Sequence, residues 1–258
     1  MMLPKTTDIV IIGGGVIGCL VAYHLAKQKV RVLVLERSRF GSNASGATVG
    51  VISPLWHVDP SIKPMWDLGT RSLELFPGLI AELAEAGIDP EFQKTGVLKL
   101  AFTESQVDEL QGNLSWQSKL GLGANWLDTD HLLDRESAIN PRVLGGVDSP
   151  GDGCVRGQRL VDSLVHAATM LGAIFFEETE VISLISKGDK VTGVNTPIGS
   201  VNSEQALIAT GPWSDSITNG LTQNTLKVSQ SDRLKGREFC LESLGFYRGL
   251  PLEISMRT

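Results

Sequence analysis

The amino-terminal part of the chain consists of apolar runs with two different periodicities, separated by glycines. Residues 8–12 form a short, continuous, β-branched apolar run, which is typical of a strand buried on both faces. Three glycines at positions 13–15 end this run, and residues 16–27 then favour a helix. Residues 31–35, which are apolar after Arg31, are predicted to form a second strand. The pattern predicts one compact βαβ unit over residues 8–36, with parallel strands and a right-handed connection.

Beyond this unit the pattern predicts further alternation of helices and strands. Residues 40–54 form a loop of small residues, and a helical stretch over residues 61–86 follows, which Pro77 is expected to kink or split. The density of glycine, proline and aspartate rises over residues 145–157, which indicates a domain boundary. The remaining predicted elements are a strand at 96–102, a helix at 104–120, a short helix capped near Asp128 or Thr129, a helix at 160–171, and strands at 173–176, 181–185, 191–194 and 205–209. Such alternation is typical of an α/β fold.

Length and charge exclude several classes of protein. With 258 residues, the chain can form one large domain or two modest ones. Its 23 basic and 29 acidic side chains give a net charge of −6, which argues against nucleic acid or an anionic membrane surface as the main partner. The apolar stretch over residues 9–26 is too short, and too often interrupted by glycine, to span a bilayer or to act as a signal peptide. No integral membrane segment is predicted.

Cysteine and histidine usage indicates neither a disulfide framework nor a metal site. The chain has 3 cysteines, widely spaced and without a CxxC pair, and its 4 histidines form no HxxxH pattern. A reduced compartment fits this usage, so a cytoplasmic protein without bound metal is predicted. His131 and His166 fall in predicted helices, where packing or solvent exposure explains them. The tryptophans are interpreted as core or interface side chains, at positions 56, 66, 116, 126 and 213.

Gly13, Gly15 and Gly18 match the dinucleotide-binding fingerprint GxGxxG, between a predicted strand and a predicted helix. The first glycine permits the tight turn, the second lets a pyrophosphate approach the backbone, and the third lets the helix contact the strand. The amino terminus of the helix adds unpaired N–H groups and the positive end of its dipole. Glu36 ends the second strand, where a carboxylate accepts hydrogen bonds from both ribose hydroxyls and disfavours a 2′-phosphate. The sequence therefore predicts a dinucleotide site here, against the alternative of a merely structural turn.

The loop after the second strand favours FAD over NAD. Residues 44–50 are small, and large side chains there would block the pyrophosphate and the ribityl chain, whereas Ser45 and backbone N–H groups can hydrogen-bond them. A flexible surface loop is the alternative explanation. Residues 207–211 form an apolar strand that ends in a small-residue turn, a position that faces the ligand crevice of an open α/β sheet. Trp56 and His57 lie just past the loop and can approach a ligand, although core or surface roles explain them equally well.

Four segments together resemble the D-amino-acid-oxidase-like flavoenzymes, and among them the glycine oxidase branch of thiamine biosynthesis. They are residues 8–18, 35–37, 44–50 and 209–214. The resemblance implies noncovalent FAD and oxidation of glycine, sarcosine or another small D- or N-methyl amino acid to an imine. It also implies oxygen or a quinone as electron acceptor, with a homo-oligomer as one assembly. The implied fold is α/β, with a Rossmann-like FAD-binding domain over residues 1–86 and 146–218 and a partial α+β substrate domain over residues 87–145 and 219–258.

The resemblance also implies roles for individual residues. Those around the pyrophosphate would be Gly13, Gly15, Val16, Ile17 and Gly18, and those at the adenosine ribose would be Glu36 and Arg37. The path from the pyrophosphate to the flavin would be lined by Ala44, Ser45, Val49, Gly50 and Val51. Val181 would contact the adenine through its backbone, and Gly211 would lie against the cofactor. Hydride transfer from the substrate Cα to the flavin needs no side-chain base, so no catalytic residue and no metal ligand is named.

Members of the resembled family continue well beyond the length of this chain, so a truncated protein is expected. The later part of such proteins supplies an arginine that pairs with the substrate carboxylate and a segment that lies against the flavin. Residues 234–236 resemble the start of the family's next strand. Arg233, Arg237 and Arg248 are alternative carboxylate anchors, with solvated surface positions as the other explanation. Other functions stay open: a noncatalytic FAD-binding fragment, a D-amino acid dehydrogenase or an NAD-dependent dehydrogenase.

Overall fold

The computed structural model describes residues 2–54, 63–120, 123–188 and 190–214, except for the side chains of Lys63 and Leu120. The helices are α1 (Val16–Lys27), α2 (Ala44–Ala47), α3 (Lys63–Glu85), α4 (Glu104–Gln117), α5 (Thr129–Arg135) and α6 (Gly157–Met170). The strands are β1 (Thr6–Ile12), β2 (Val32–Leu35), β3 (Val51–Ile52), β4 (Val97–Ala101), β5 (Asn125–Leu127), β6 (Gly145–Ser149), β7 (Gly153–Cys154), β8 (Ile174–Phe176), β9 (Ser183–Lys187), β10 (Lys190–Thr196) and β11 (Gly199–Ile208). A single 3-10 turn follows α4, at Ser118–Leu120, and another follows β11, at Gly211–Trp213.

The first sheet has six strands in the order β8-β2-β1-β11-β10-β9. The strands β8, β2, β1 and β11 are parallel, whereas β10 and β9 continue the sheet in antiparallel pairing. The predicted βαβ unit is confirmed, with a helix that begins and ends where the sequence indicates, at Val16 and Lys27. Its two strands lie side by side in the sheet, so their carboxyl ends meet at one edge. The predicted α/β fold is confirmed as well.

Both faces of β1 and β2 are buried, which explains their continuous apolar sequences. Successive side chains of a strand point to opposite faces, so Ile11 and Val34 pack towards α1 and α6 while Val10 and Leu33 pack on the other face. The second face is covered by residues from the β9–β11 region, among them Val194. A strand of this kind has no solvent side and therefore no polar alternation.

The buried face of helix α1 includes three small residues, besides Cys19 and Tyr23. Gly18, Ala22 and Ala26 are all buried, at one-turn intervals along that face. A Cβ atom on Gly18 would lie 2.0 Å from the carbonyl oxygen of Gly13 and 3.3 Å from Cγ2 of Ile11. The predicted contact of the third glycine with the strand is therefore direct, and no side chain fits there.

The second sheet is antiparallel, with the order β4-β6-β5. Helix α4 covers one face, where Leu110 packs against Ala101 and Val147, and α5 with the chain after it covers the other, through Leu132 and Val143. Both helices have side-chain caps. Thr103 and Gln106 form a capping box at α4, and the carboxylate of Asp128 accepts from the His131 backbone N–H at α5, 3.0 Å apart. The cap at Asp128 is one of the two positions that the sequence indicates, whereas the capping box at Thr103 was not predicted.

Three local predictions differ from the structure. Pro77 does not split its helix, because α3 continues through it while Phe76 and Leu83 pack into the main core. The loop over residues 40–54 contains the short helix α2, closed by hydrogen bonds from the backbone N–H groups of Gly46 and Ala47. Strand β6 lies within the segment interpreted as a boundary, and it pairs with β4 and β5 rather than with the first sheet. The division into two domains stays a prediction, with residues 146–149 better placed beside the second sheet.

None of the described helices combines the length and the apolar composition needed to cross a bilayer. The compartment predicted from cysteine usage stays a prediction. The predictions for Trp56, His57, residues 219–258, Arg233, Arg237 and Arg248 lie outside the described residues.

Candidate cofactor-binding site

The carboxyl ends of β1, β2 and β11 open into a cleft of about 650 Å³. Its walls come from the turn after each of these strands, from the chain leading into α2 and from the residues before β9. Ligands of open α/β sheets bind at this edge, because the loops there diverge and the amino termini of the helices point into the gap. The cleft is larger than the cavities beside Asp152 and beside His166, and it combines apolar walls with a few polar groups, as small-molecule sites do.

Most of the residues predicted for the cofactor line this cleft. They are Gly13, Gly15, Val16, Ile17, Glu36, Arg37, Ala44, Ser45, Val181 and Gly211. The chain brings them together from five separate segments, which is the outcome that a shared binding role requires. The remaining four predicted residues, Gly18, Val49, Gly50 and Val51, do not line the cleft.

Each of the three fingerprint glycines is required for a different structural reason. Gly13 has a φ of +110°, and a Cβ atom there would lie 2.5 Å from the carbonyl oxygen of Ala209. Gly15 has an ordinary φ of −77° and lines the cleft, with the nearest contact of an added Cβ at 3.1 Å, to Oγ of Ser45. Gly18 is excluded from the cleft because it lies between α1 and β1. Only Gly15 is therefore glycine for the sake of the space in front of it.

The turn before α1 presents backbone donors to the cleft. The N–H of Val16 donates to Oγ of Ser45, at 2.9 Å, while the other N–H groups of the first helical turn have no carbonyl partner within the helix. No acidic side chain lies in that turn to compete for them. A serine hydroxyl that accepts one hydrogen bond still has its own proton to donate. The turn can therefore donate several hydrogen bonds to one anionic group.

The carboxylate of Glu36 is held at the bottom of the cleft by the backbone. Glu36 is 8% exposed; its Oε2 accepts from the N–H of Gly14 and its Oε1 from the N–H of Ser38, both at 2.8 Å. Each carboxylate oxygen has a second lone pair, so both can still accept from a ligand hydroxyl. The predicted ribose acceptor thus has a second role, which is to tie the glycine turn to the end of β2.

Gly50 contacts the backbone of Val155 instead of lining the cleft. A Cβ atom on Gly50, whose φ is +76°, would lie 1.8 Å from the carbonyl oxygen of Val155, and the Val155 N–H donates to the Gly50 carbonyl at 2.9 Å. Val49 and Val51 are 70% and 46% exposed beside it. The role of these three residues on the flavin path stays a prediction.

One wall of the cleft is formed by residues that the sequence pattern did not predict. Trp213, interpreted as core or interface, lines it, and the guanidinium carbon of Arg37 lies 4.6 Å from the centroid of its ring. Arg39 and Asn43 also line it. A signal was present, because Trp213 follows directly on the small-residue turn after the last parallel strand. The other described tryptophans fit the earlier interpretation: Trp126 packs in the second sheet, and Trp66 contacts Trp116.

Neither of the two described cysteines contributes a reactive thiol to the site. Cys19 is fully buried under the glycine turn, where burial raises the pKa of its thiol to about 12, so it stays protonated. Cys154 is a free thiol outside the cleft. Across the described ranges, no three side chains of histidine, cysteine, aspartate or glutamate converge as metal ligands would.

Comparison with known proteins identifies the family to which this fold belongs. The model of the FAD dependent oxidoreductase family (DAO) matches residues 8–246. The chain belongs to this family. Its cofactor is FAD, and the space in front of Gly15, the N–H donors of the turn and the carboxylate of Glu36 suit the diphosphate and ribose of such a dinucleotide. The preference for FAD over NAD is thereby confirmed.

Individual relatives agree with the family. Glycine oxidase of Geobacillus kaustophilus is 34% identical over 208 residues, which are 80% of this chain and 55% of that protein. The crystal structure of glycine oxidase from Geobacillus kaustophilus matches at a TM-score of 0.80 and 32% identity, covering 84% of this chain and 58% of that one. The bifunctional protein ThiO/ThiG of Synechocystis sp. is 30% identical over 214 residues, 82% of this chain and 31% of that protein. The chain thus spans a little over half the length of the glycine oxidases that it matches.

Proposed function

We propose that this chain forms the FAD-binding part of an amino acid oxidase that converts the C–N bond of glycine, or of a small D- or N-methyl amino acid, into an imine. The observation that carries the proposal is the cleft, in which glycine turn, carboxylate and strand ends meet as a dinucleotide requires. The similarity to glycine oxidases at 34% identity supports the substrate class. The similarity to the ThiO/ThiG protein supports a place in thiamine biosynthesis.

The residues of the cleft divide into groups with separate tasks. The N–H of Ile17 and the hydroxyl of Ser45 bind the diphosphate, while the N–H of Val16 holds that hydroxyl in place, and Gly15 leaves room for the ligand. Glu36 binds the ribose hydroxyls, and Arg37 lies next to it. Gly18 serves the site indirectly, by holding α1 against β1. Ala44, Val181 and Gly211 line the walls without side chains large enough to obstruct a long ligand.

The bound FAD supplies the hydride-accepting chemistry, and the protein binds and orients it. In this proposal the electrons pass on either to oxygen, as in an oxidase, or to a quinone, as in a dehydrogenase. The fixed carboxylate and the rigid glycine turn hold one end of the cofactor in place, so that its reactive end keeps one position relative to the substrate.

An absorption spectrum of the purified protein tests the cofactor, and an amine titration tests the reaction. We expect flavin bands without added cofactor, FAD released intact on denaturation, and bleaching of the bands under anaerobic conditions by glycine, sarcosine or D-alanine. L-Alanine serves as the matched control that should leave the spectrum unchanged. A colourless protein that binds NAD would overturn the cofactor assignment. Flavin that no amine reduces would overturn the oxidase and leave a binding protein.

The variant Gly15→Val connects this experiment to the structure. Because Gly15 has an ordinary φ, valine causes no backbone strain, and its side chain extends into the cleft where the diphosphate would lie. An added Cβ would lie 3.1 Å from Oγ of Ser45, so that hydroxyl must shift, and we expect a folded protein with a modest loss of thermal stability that is purified without flavin. Retention of the flavin at the same stoichiometry would show that the diphosphate does not lie at this turn.

A further inference from the structure

Arg37 and Trp213 come from opposite sides of the cleft and meet across it. Arg37 follows β2, Trp213 follows β11, and β1 lies between these two strands in the sheet. The guanidinium carbon lies 4.6 Å from the centroid of the indole ring, within the range of a cation–π contact. Both side chains line the cleft, and Trp213 is 37% exposed. The pair therefore bridges the mouth of the cofactor site.

Trp213 is held in place by the turn that carries it. The N–H of Trp213 donates to the carbonyl of Thr210, the hydroxyl of Ser214 donates to the carbonyl of Gly211 at 2.8 Å, and the hydroxyls of Thr210 and Ser214 lie 3.1 Å apart. Gly211 has a φ of +57°, which suits a residue without a side chain. The backbone that carries the ring is thus fixed, and an indole side chain has two rotatable torsions, whereas an arginine side chain has four.

The charge of Arg37 is available for a ligand. Within the described ranges no carboxylate lies within ion-pair distance of its guanidinium, so the contact with the ring does not neutralise it. Arg37 directly follows Glu36, the acceptor that the fingerprint assigns to the ribose of the adenosine half. A cation at that place faces the half of the dinucleotide that carries the negative charge.

We propose that Trp213 is a positioning residue for Arg37, and that its ring holds the guanidinium across the cleft mouth against the adenosine diphosphate half of the cofactor. The inference rests on the proposed function, because it presupposes a dinucleotide in the cleft. It assigns a binding role to a tryptophan of the cleft wall. The aromatic face selects one position of the arginine before the ligand arrives, so less conformational freedom is lost on binding.

Titration calorimetry with FAD and with ADP tests this assignment on the flavin-free protein. Trp213→Leu removes the aromatic face, Trp213→Phe keeps one, and Arg37→Met removes the charge. Arg71→Met is the matched control, since Arg71 is exposed on α3 and pairs with Glu74 away from the cleft. We expect Trp213→Leu and Arg37→Met each to weaken FAD and ADP by the same factor, about tenfold. Trp213→Phe should lose much less, and the control should lose nothing.

The double variant Arg37→Met/Trp213→Leu separates positioning from simple packing. If the ring acts through the arginine, the double variant binds no more weakly than Arg37→Met alone. The inference would be overturned if the affinity losses of the two single variants added up in the double variant. It would also be overturned if FAD binding weakened without ADP binding, or if Trp213→Leu left binding unchanged. In each of these cases the proposed function would stand. A wild-type protein that binds neither FAD nor ADP would instead overturn the proposed function. Thermal melting of every variant shows whether a loss comes from unfolding.

Discussion

The two sheets of the molecule contact their helices in different ways. In the first sheet, α1 contacts the turn after β1 through backbone atoms, so that a Cβ atom on Gly18 would lie 2.0 Å from a carbonyl oxygen. In the second sheet, α4 contacts the strands through side chains such as Leu110, and its own glycine, Gly112, has no heavy atom within 4 Å of an added Cβ. The first arrangement permits a single residue type, and the second permits many. The difference explains why the sequence of the first region carries a recognisable motif.

The two regions also differ in how a buried carboxylate is hydrogen-bonded. Glu36, beside the first sheet, accepts two backbone N–H groups and lines the large cleft. Asp152, beside the second sheet, accepts the hydroxyl of Ser53 and lines a cavity of only about 40 Å³. Burial raises the pKa of Asp152 above its ordinary value, and the hydrogen bond from Ser53 only partly opposes this. One carboxylate fixes the backbone around a site, whereas the other is a buried charge with little compensation.

The substitution Gly18→Ala should show the largest effect on stability. Its methyl group has no space, so α1 must move away from the sheet, and we expect the free energy of unfolding to fall by about 3 kcal/mol, with loss of flavin binding. Gly112→Ala is the matched control in the second region. Alanine favours the interior of α4, so we expect a gain of about 0.5–1 kcal/mol. Urea denaturation measures the free energy of unfolding of both variants. Equal changes in the two variants would contradict the stated difference between the helix contacts of the two regions.

Glu36→Ala should have the next largest effect, mainly on FAD. It removes the acceptor for two ribose hydroxyls, and at about 1.5 kcal/mol or more per bond the FAD affinity should fall at least about a hundredfold. It also leaves the N–H groups of Gly14 and Ser38 without their acceptor, so a moderate loss of stability accompanies it. Glu177→Ala is the control, because Glu177 also accepts a backbone N–H, that of Phe40, but does not line the cleft. Fluorescence titration with FAD would contradict the assignment if both variants bound equally well.

Asp152→Asn should give the smallest effect, with a characteristic dependence on pH. Since its pKa is raised in the folded protein, the ionised carboxylate costs stability at neutral pH, and this cost disappears as the pH falls through the folded pKa. Asparagine stays neutral and can still accept from Ser53. We expect a small rise in melting temperature at pH 7 that shrinks as the pH approaches the ordinary range of carboxyl groups.

Melting curves from pH 7 down to acid conditions measure this dependence. Asp148→Asn is a useful control beside it, because Asp148 is paired with Arg135 at 2.5 Å and its replacement breaks that pair. Breaking this half-exposed pair removes a charge-assisted hydrogen bond, so this control should lower the melting temperature slightly. A gain for Asp152→Asn that is the same at every pH would mean that the titration of Asp152 is not its cause.

The βαβ unit and the chemistry of its glycines were determined by the sequence alone. Their signals are local: apolar runs of a given period, glycines at fixed spacing and a carboxylate at the end of the second strand all lie within residues 8–36. Both α1 and the cap at Asp128 are found where this local pattern indicates. Such features can be predicted because the backbone conformation and the first neighbours of each residue depend mainly on residues close in the chain.

The tertiary structure alone decided the features that depend on distant partners. Strand β6 begins with two glycines and contains an aspartate, residues of low β-propensity, and it becomes a strand because β4 and β5 pair with it on both sides. Glu36 holds the glycine turn, and Arg37 meets Trp213, only because β2 and β11 lie on either side of β1. A sequence specifies the residue types available for such contacts. The order of the strands decides which of them meet, since that order results from the packing of the whole sheet.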